Sequence, residues 1–324
     1  MAICVTSSSS RVPPRRLARP EEQNYVFLQR LRLRNFRTYN RLDLRFSPGV
    51  SLLYGPNAAG KTNVLEAVYI LATTKSFRTR TDREVIAWDQ EDEGVQRYAR
   101  LEGDVEARGG PIRVEMAVTE QPARGGAGSD AVIRKQFKLN GSPRRAGDIV
   151  GSIKAVLFSA DDITLVTGSP SMRRRYMDVM LCQIDHRYLR LLQEYGRVLS
   201  QRNALLQRLR GRPDPATLLD FWDEKLIAGA VEIMITRRSM LRILNDFARE
   251  AYSDMAGLGE ELTVRYRPSL EIEPEDSDAR IPETLRHRLL QLQTKEIYQG
   301  VTLCGPHRDD LQFQVNDMDV QFYG

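Results

Sequence analysis

Cysteine, histidine and lysine are all scarce in this 324-residue chain. Cys4, Cys182 and Cys304 lie far apart, so they supply neither a disulfide framework nor a zinc-ligand spacing, and a reducing compartment is expected. His186, His287 and His307 are equally scattered, which argues against a His/Cys metal centre and against a nucleophile–histidine pair. No run of about 18 apolar residues exists, so no membrane-spanning helix is expected. Lysine is outnumbered by arginine, 7 to 41. Arginine is the better phosphate fork, although a GC-rich genome is the blander cause. The first twenty residues carry Arg11, Arg15, Arg16 and Arg19 and no acid. Removing those four from 48 basic residues leaves 44 against 43 acidic ones. The body of the chain is therefore near neutral, and any nucleic-acid surface must be a local patch.

Residues 1–24 are rich in Ser and Arg, punctuated by Pro and without an apolar h-region, which excludes a secretory signal. Their composition suits an organellar transit peptide, a disordered tail or a misplaced start. The hydrophobic content of 41% suits a soluble protein large enough for one sizeable core or two lobes.

What is present centres on Gly55-Pro56-Asn57-Ala58-Ala59-Gly60-Lys61-Thr62, which fits the phosphate-binding loop G-x-x-x-x-G-K-[ST]. Val50 to Tyr54 reads as a short buried strand entering it, and Thr62 to Thr74 as a helix leaving it, with Val64, Leu65, Val68, Leu71 and Ala72 on one face. Such a junction aims backbone N–H groups and the positive end of a helix at one point, where a polyphosphate binds. Lys61 would meet the β- and γ-phosphates of ATP, and the Thr62 hydroxyl would ligate Mg²⁺. Asn57 suits orienting γ-phosphate or stabilising the turn, and Asn63 completes the nucleotide-contacting stretch.

Arg30, Arg32 and Arg34 alternate with Leu31 and Leu33, the period of a half-buried strand, and Leu42, Leu44 and Phe46 repeat it. Strands are also predicted over 112–118, 132–139 and 155–158, the last buried, with a hairpin turn at Asn140-Gly141. From Met172 to about Arg210 apolar residues recur at steps of three and four, interrupted by Arg202. After the breaker Gly211-Arg212-Pro213-Asp214-Pro215, a second helical stretch runs from Ala216 to about Met255, so an antiparallel hairpin at most about 60 Å long is expected. Strands at 262–266, 311–315 and 320–322 and a helix opened by Pro282 follow.

Four separated motifs then share one resemblance. Asn35-Phe36-Arg37-Thr38-Tyr39, Lys61 to Ala67 followed by Ser76-Phe77-Arg78-Thr79, Gly168 to Asp178 and Gly305 to Leu311 together resemble the RecF family of bacterial DNA-repair ATPases, within the SMC-like ABC-type group. The resemblance covers about Tyr25 to the C-terminus in family order. It implies an α/β fold: an ABC-type P-loop ATPase head with a mixed β-sheet and an inserted helical-hairpin lobe. Residues 25–160 would form the ATPase lobe, 161–258 the helical lobe, and 259–324 would return to the ATPase lobe. It further implies an ATP-dependent homodimer that binds duplex and gapped DNA, RecR and RecO-like partners, recombinase loading at single-strand gaps, and a cytoplasmic, nucleoid location (organelle stroma if the first segment is a transit peptide). Arg37, Arg78, Arg173, Arg174 and Arg175 are its candidate DNA or nucleotide contacts. A cluster of positive charge at a helix start is locally unfavourable and suggests an anion, with ion pairs to acids as the alternative.

Two departures stand beside it. Ser159-Ala160-Asp161-Asp162 replaces a Pro-Glu-Asp-like sequence. The family's serine–glycine–glutamine signature and acidic Walker B strand would follow the last strand, so a truncated head is expected. An internal substitute, Val156 to Phe158 with Asp161 and Asp162, has the right chemistry, but its acids sit three and four residues past the strand. The other readings are a remnant acting as a DNA- or partner-binding module, and a P-loop kinase of another class.

Overall fold

Alternation of apolar and charged residues builds the first half of the chain into a sheet whose inner face is a core. The structure is a computed structural model, and it describes residues 2–6, 26–79, 81–88, 96–107, 109–121, 131–210, 216–256, 259–271 and 277–322. They divide into two compact units, residues 1–160 with 182–186, and residues 161–181 with 187–324.

In the first unit β1 (Ala2–Thr6), β2 (Phe27–Phe36) and β3 (Tyr39–Arg45) precede α1 (Lys61–Thr73). Then come β4 (Tyr98–Glu106), β5 (Ile112–Gln121), β6 (Val132–Leu139), β7 (Ser142–Arg144), the single turn α2 (Ala146–Ile149) and β8 (Lys154–Phe158). Six strands form one antiparallel sheet in the order β3-β2-β4-β5-β6-β7. Leu31 and Leu33 of β2, Leu101 of β4 and Val114, Met116 and Val118 of β5 share its buried face. α1 lies on that face through Ala67, Val68 and Leu71. It comes so close that a Cβ on Gly103 would sit 2.9 Å from the Leu71 side chain. Asn140 and Gly141, both at positive φ, make the hairpin turn between β6 and β7.

Three expectations change here. Residues 50–54 form no strand, and Val50, Leu52 and Tyr54 are more than 80% exposed. A strand needs a ladder partner, and among the described residues none pairs with this segment; only Leu53 packs on the core. Residues 155–158 do form a strand, β8, but Val156 and Phe158 face outward while Ala155 is buried. Residues 2–6 of the supposed tail pair with β8, antiparallel, from Ala2 opposite Phe158 to Thr6 opposite Lys154. Residues 7–25 lie outside the described residues.

The second unit holds the turn α3 (Thr164–Thr167), most of α4 (Pro170–Ile184), then α5 (His186–Leu209), α6 (Ala216–Ala256), β9 (Leu262–Arg267), α7 (Ile281–Gln299), β10 (Asp310–Val315) and β11 (Met318–Asp319). The helix expected over Met172 to Arg210 is broken at Asp185, a residue type that favours helix N-terminal boundaries. The pairs Arg202–Asp223 and Tyr188–Arg237, with Gly229 against Tyr195, run α5 and α6 antiparallel as the hairpin requires. β11, β10 and β9 make their own antiparallel sheet. Residues 259–324 therefore group with the helices rather than returning to the P-loop unit. Val320–Phe322, expected as a strand, is a 3₁₀ turn after the positive-φ residues Asn316 and Asp317. The architecture is the expected α/β head, and every strand ladder among the described residues is antiparallel.

Candidate nucleotide site

The loop from Gly55 to Gly60 leads straight into α1. Gly60 is the residue before the helix, with φ 87°, and Gly55 has φ 144°, both conformations that glycine adopts without strain. A Cβ on Gly60 would lie 2.6 Å from the Tyr39 hydroxyl and 3.1 Å from the Thr38 hydroxyl. The Tyr39 hydroxyl also donates to the Ala59 carbonyl at 3.3 Å. The turn after β2 thus buttresses the loop from beneath. The first turn of α1 carries no acid, so nothing opposes an anion at its N-terminus. Lys61 Nζ donates to the Gly55 and Pro56 carbonyls at 2.8 and 2.6 Å, which holds the ammonium at the loop. Pro56, Asn57, Ala58, Ala59 and Thr62 are exposed, Lys61 is half-buried, and Gly60 and Asn63 are buried.

Beneath the loop, the first two of the four motifs meet on one carboxylate. Glu66 of α1 is fully buried. It accepts from Arg37 Nε at 3.0 Å and Nη2 at 2.6 Å, and from the Ser76 hydroxyl at 2.5 Å. Arg78 Nη1 reaches Asn63 Oδ1 at 2.8 Å and Glu66 at 3.5 Å, while Asn63 Nδ2 donates to the Thr38 hydroxyl at 3.0 Å. The Ser76 hydroxyl in turn accepts from the backbone N–H groups of Arg78 and Thr79. Arg37 and Arg78 are therefore committed to positioning α1, and Asn63 points into this network rather than along the loop. Glu66, Ser76, Thr38 and Tyr39 carry the site's support. Their only signal in the sequence is membership of the same short motifs.

The second unit joins the other two motifs. Arg173 is buried, forks onto Asp310 at 2.7 and 2.9 Å and donates to the Gly168 carbonyl at 2.7 Å. Arg174 donates to the Asp309 carbonyl at 2.6 Å. Arg175 is exposed. Of the arginine cluster, Arg173 is thus occupied by acid and carbonyl groups of its own unit.

Asp309 is buried and accepts from the Tyr266 hydroxyl, from Ser269 N at 2.7 Å and from Arg237 at 3.5 Å. Burial pushes its carboxyl above the usual range, and these donors oppose the shift. Beside it, burial lowers the His307 imidazole to about 4. His307 Nε2 contacts the Thr302 carbonyl at 3.1 Å, which can only accept, so Nε2 carries the proton and Nδ1 accepts from the Tyr195 hydroxyl at 2.7 Å. Among the described residues no group of three or more His, Cys, Asp or Glu is placed to hold a metal ion. No helix among the described residues is long and apolar enough to cross a membrane.

A P-loop at the head of a helix, laid on an antiparallel sheet and followed by a helical hairpin, defines an ABC-type P-loop head. Residues 27–231 match the family model of the RecF/RecN/SMC N-terminal domain. The chain is 38% identical over 304 residues to the DNA replication and repair protein RecF of Chloroflexus aurantiacus, covering 92% of this chain and 77% of that one. It is 42% identical over 305 residues to the protein of the same name from Roseiflexus castenholzii, with the same coverage. A solved structure of the recombination mediator protein RecF with ATP, in the RecFOR pathway, superposes with a TM-score of 0.82 at 29% identity, covering 95% of this chain and 78% of that one. The chain belongs to the RecF family of DNA replication and repair proteins.

Proposed function

We propose that this chain is a nucleotide-gated DNA-binding protein of recombinational repair, which closes as an ATP-dependent homodimer on duplex and gapped DNA. With RecR- and RecO-like partners it promotes recombinase loading at single-strand gaps. The observation that carries the reading is the cradle itself. Gly60, in a left-handed conformation that a Cβ would fill, begins an acid-free helix with Lys61 beside the loop carbonyls. The donor set fits a polyphosphate with Mg²⁺. Bound ATP supplies the triphosphate that joins two heads, and Mg²⁺ supplies its countercharge. The remaining work belongs to the chain. Backbone N–H groups of Gly55 and of Asn57 to Lys61 would receive the phosphates, Lys61 would exchange its carbonyl contacts for phosphate oxygens, and the Thr62 hydroxyl would hold the metal. The Glu66 network holds α1 so that these groups stay aimed. The relative with ATP bound supports the nucleotide, and the relatives' shared name supports the repair role.

A second reading, ATP binding without hydrolysis, is favoured by one observation. Asp309 and Asp310 are the acids of the last family motif, and both are engaged inside their own unit by Tyr266, Ser269 and Arg173. Single-turnover ATP hydrolysis by this chain, with and without gapped duplex, against Lys61→Ala separates the two. The proposal expects fluorescent-ATP binding that Lys61→Ala weakens at least about tenfold, together with ATP-dependent dimerisation in sedimentation. Absence of nucleotide binding by the wild-type chain overturns it. Binding without turnover selects the second reading.

A further inference from the structure

The strand register of the first unit lines up basic side chains on the solvent face of the six-stranded sheet. Arg30, Arg32 and Arg34 of β2 point to this face because Leu31 and Leu33 point to the core. Arg45, Asp43 and Arg41 of β3 stand opposite them on one side, and Asp104, Glu102 and Arg100 of β4 on the other. One row across three strands is therefore Arg41–Arg34–Arg100, with neighbouring side chains about 5 Å apart and the row about 10 Å long.

Much of the face, Arg100 included, is neutralised pair by pair. Arg30 forks onto Asp43 at 2.8 and 2.5 Å, and Arg32 reaches Glu102 and Asp104 at 2.8 and 3.3 Å. Arg100 reaches Glu102 and Glu115 at 2.7 and 2.8 Å, and Arg113 reaches Asp104 at 2.5 Å. Four carboxylates thus serve four guanidiniums. Arg34 and Arg41 are left over: both are exposed, they stand directly opposite each other, and neither has a carboxylate partner among the described residues. Like charges placed directly across two strands repel, so this arrangement costs stability unless an anion lies over it. Arg45 and Lys138 lie exposed on the same face and extend the basic surface.

We propose that the Arg34–Arg41 row, with Arg100 beside it, is a backbone-phosphate contact surface for duplex DNA on the outer face of the sheet. The inference rests on the DNA-binding reading above and names where the chain touches the duplex. Exposed guanidinium forks in a row on a pleated surface match successive phosphate oxygens, and the duplex presents a charge about every 1.7 Å of axis. Contacts of this kind set orientation and carry no sequence information, so the surface reads position rather than bases.

The test is fluorescence anisotropy of a fluorescein-labelled mixed-sequence duplex, titrated with the full chain in ATP and Mg²⁺ over a series of KCl concentrations. Arg34→Ala/Arg41→Ala should weaken binding about tenfold or more at low salt and reduce the slope of log K against log salt by about 2, one phosphate contact per arginine. Arg34→Lys/Arg41→Lys should restore the slope. Arg190→Ala/Arg197→Ala on α5 removes equal charge from exposed positions elsewhere and should leave the slope unchanged. The double alanine variant should also melt no lower than wild type, since it removes a repulsion. Wild-type binding with an unchanged slope in the double variant overturns the surface and leaves the DNA-binding reading standing. An equal loss in the α5 control also overturns it, as a general charge effect. A double variant that keeps the duplex slope but loses a poly-glutamate complex formed by wild type reassigns the row to an acidic protein. A wild-type chain that binds no duplex overturns both this surface and the reading beneath it.

Discussion

In the P-loop unit, arginines stand on the outer face of a sheet in exchangeable ion pairs. In the helical unit, Arg173, Arg202 and Arg237 are among the largest fully buried side chains of the described residues. Arg202 is held by Asp223 at 2.6 Å, Thr302 at 2.9 Å and Glu296 at 2.8 Å, joining α5, α6, α7 and the strand-side loop. Arg237 gathers Asp178, Tyr188, Pro306 and Asp309 in the same way. One residue type thus performs two tasks. On the sheet its charge is offered to solvent and partners. Inside the helical unit it fixes the register of helices, where an unpaired charge costs several kcal/mol. The interruption of the α5 apolar stripe at Arg202 is the sequence trace of that second task.

Breaking a buried network should have the largest effect. Arg202→Met leaves Glu296, which is fully buried, without its cation, and should cost about 3–5 kcal/mol in urea unfolding followed by Trp222 fluorescence. Arg202→Met/Glu296→Leu should recover most of that loss. If the single variant unfolds at the wild-type midpoint, the buried arginines do not carry the unit.

Acid offers a second way to break the same unit. The folded His307 pKa of about 4 lies below the ordinary 6.5, so the native state keeps a neutral imidazole that the unfolded chain protonates. Its contribution should be intact above pH 6.5, be lost between pH 6.5 and 4, and be flat below, for roughly 3 kcal/mol in all. The raised Asp309 carboxyl works in the opposite direction as pH falls. The readout is therefore the difference in stability between wild type and His307→Asn across that window. A pH-independent difference would refute the assignment of the neutral ring.

A smaller effect should sharpen the comparison on the P-loop side. Gly60→Ala places a Cβ 2.6 Å from the Tyr39 hydroxyl at a φ of 87°, and should cost about 1–3 kcal/mol. Fluorescent-ATP affinity should fall with it while the helical unit's Trp222 transition stays in place. The smallest effect belongs to an exposed pair in the helical unit. Arg286→Ala removes a two-bond fork onto Glu224 that solvent screens, and the urea midpoint should not move measurably. Burial, not pairing, would then be what separates the arginines.

Much of this was legible in advance because it is local. The glycine pattern, the helix after it, the alternation in β2, β5 and β6 and the separation of α5 from α6 all follow from periodicity and turn chemistry, while the breaker 211–215 itself lies outside the described residues. β4 escaped notice although Leu101 and Val105 alternate with Glu102, Asp104 and Glu106, because the small residues Ala99 and Gly103 thin the apolar face that the neighbouring strands bury. Residues 50–54 read as a buried strand because their composition is apolar. Burial depends on a partner strand, which composition does not specify.

By itself the sequence determined the P-loop, its helix, the hairpin of helices and the family, since each rests on patterns or short motifs whose own residues are close together in the chain. Only the tertiary structure decided what the arginines do. Arg37 and Arg78 bind Glu66, Arg173 binds Asp310, and Arg34 and Arg41 are left side by side. The partners lie between 7 and 137 positions away, and an ion pair depends on distance in space rather than on position in the chain.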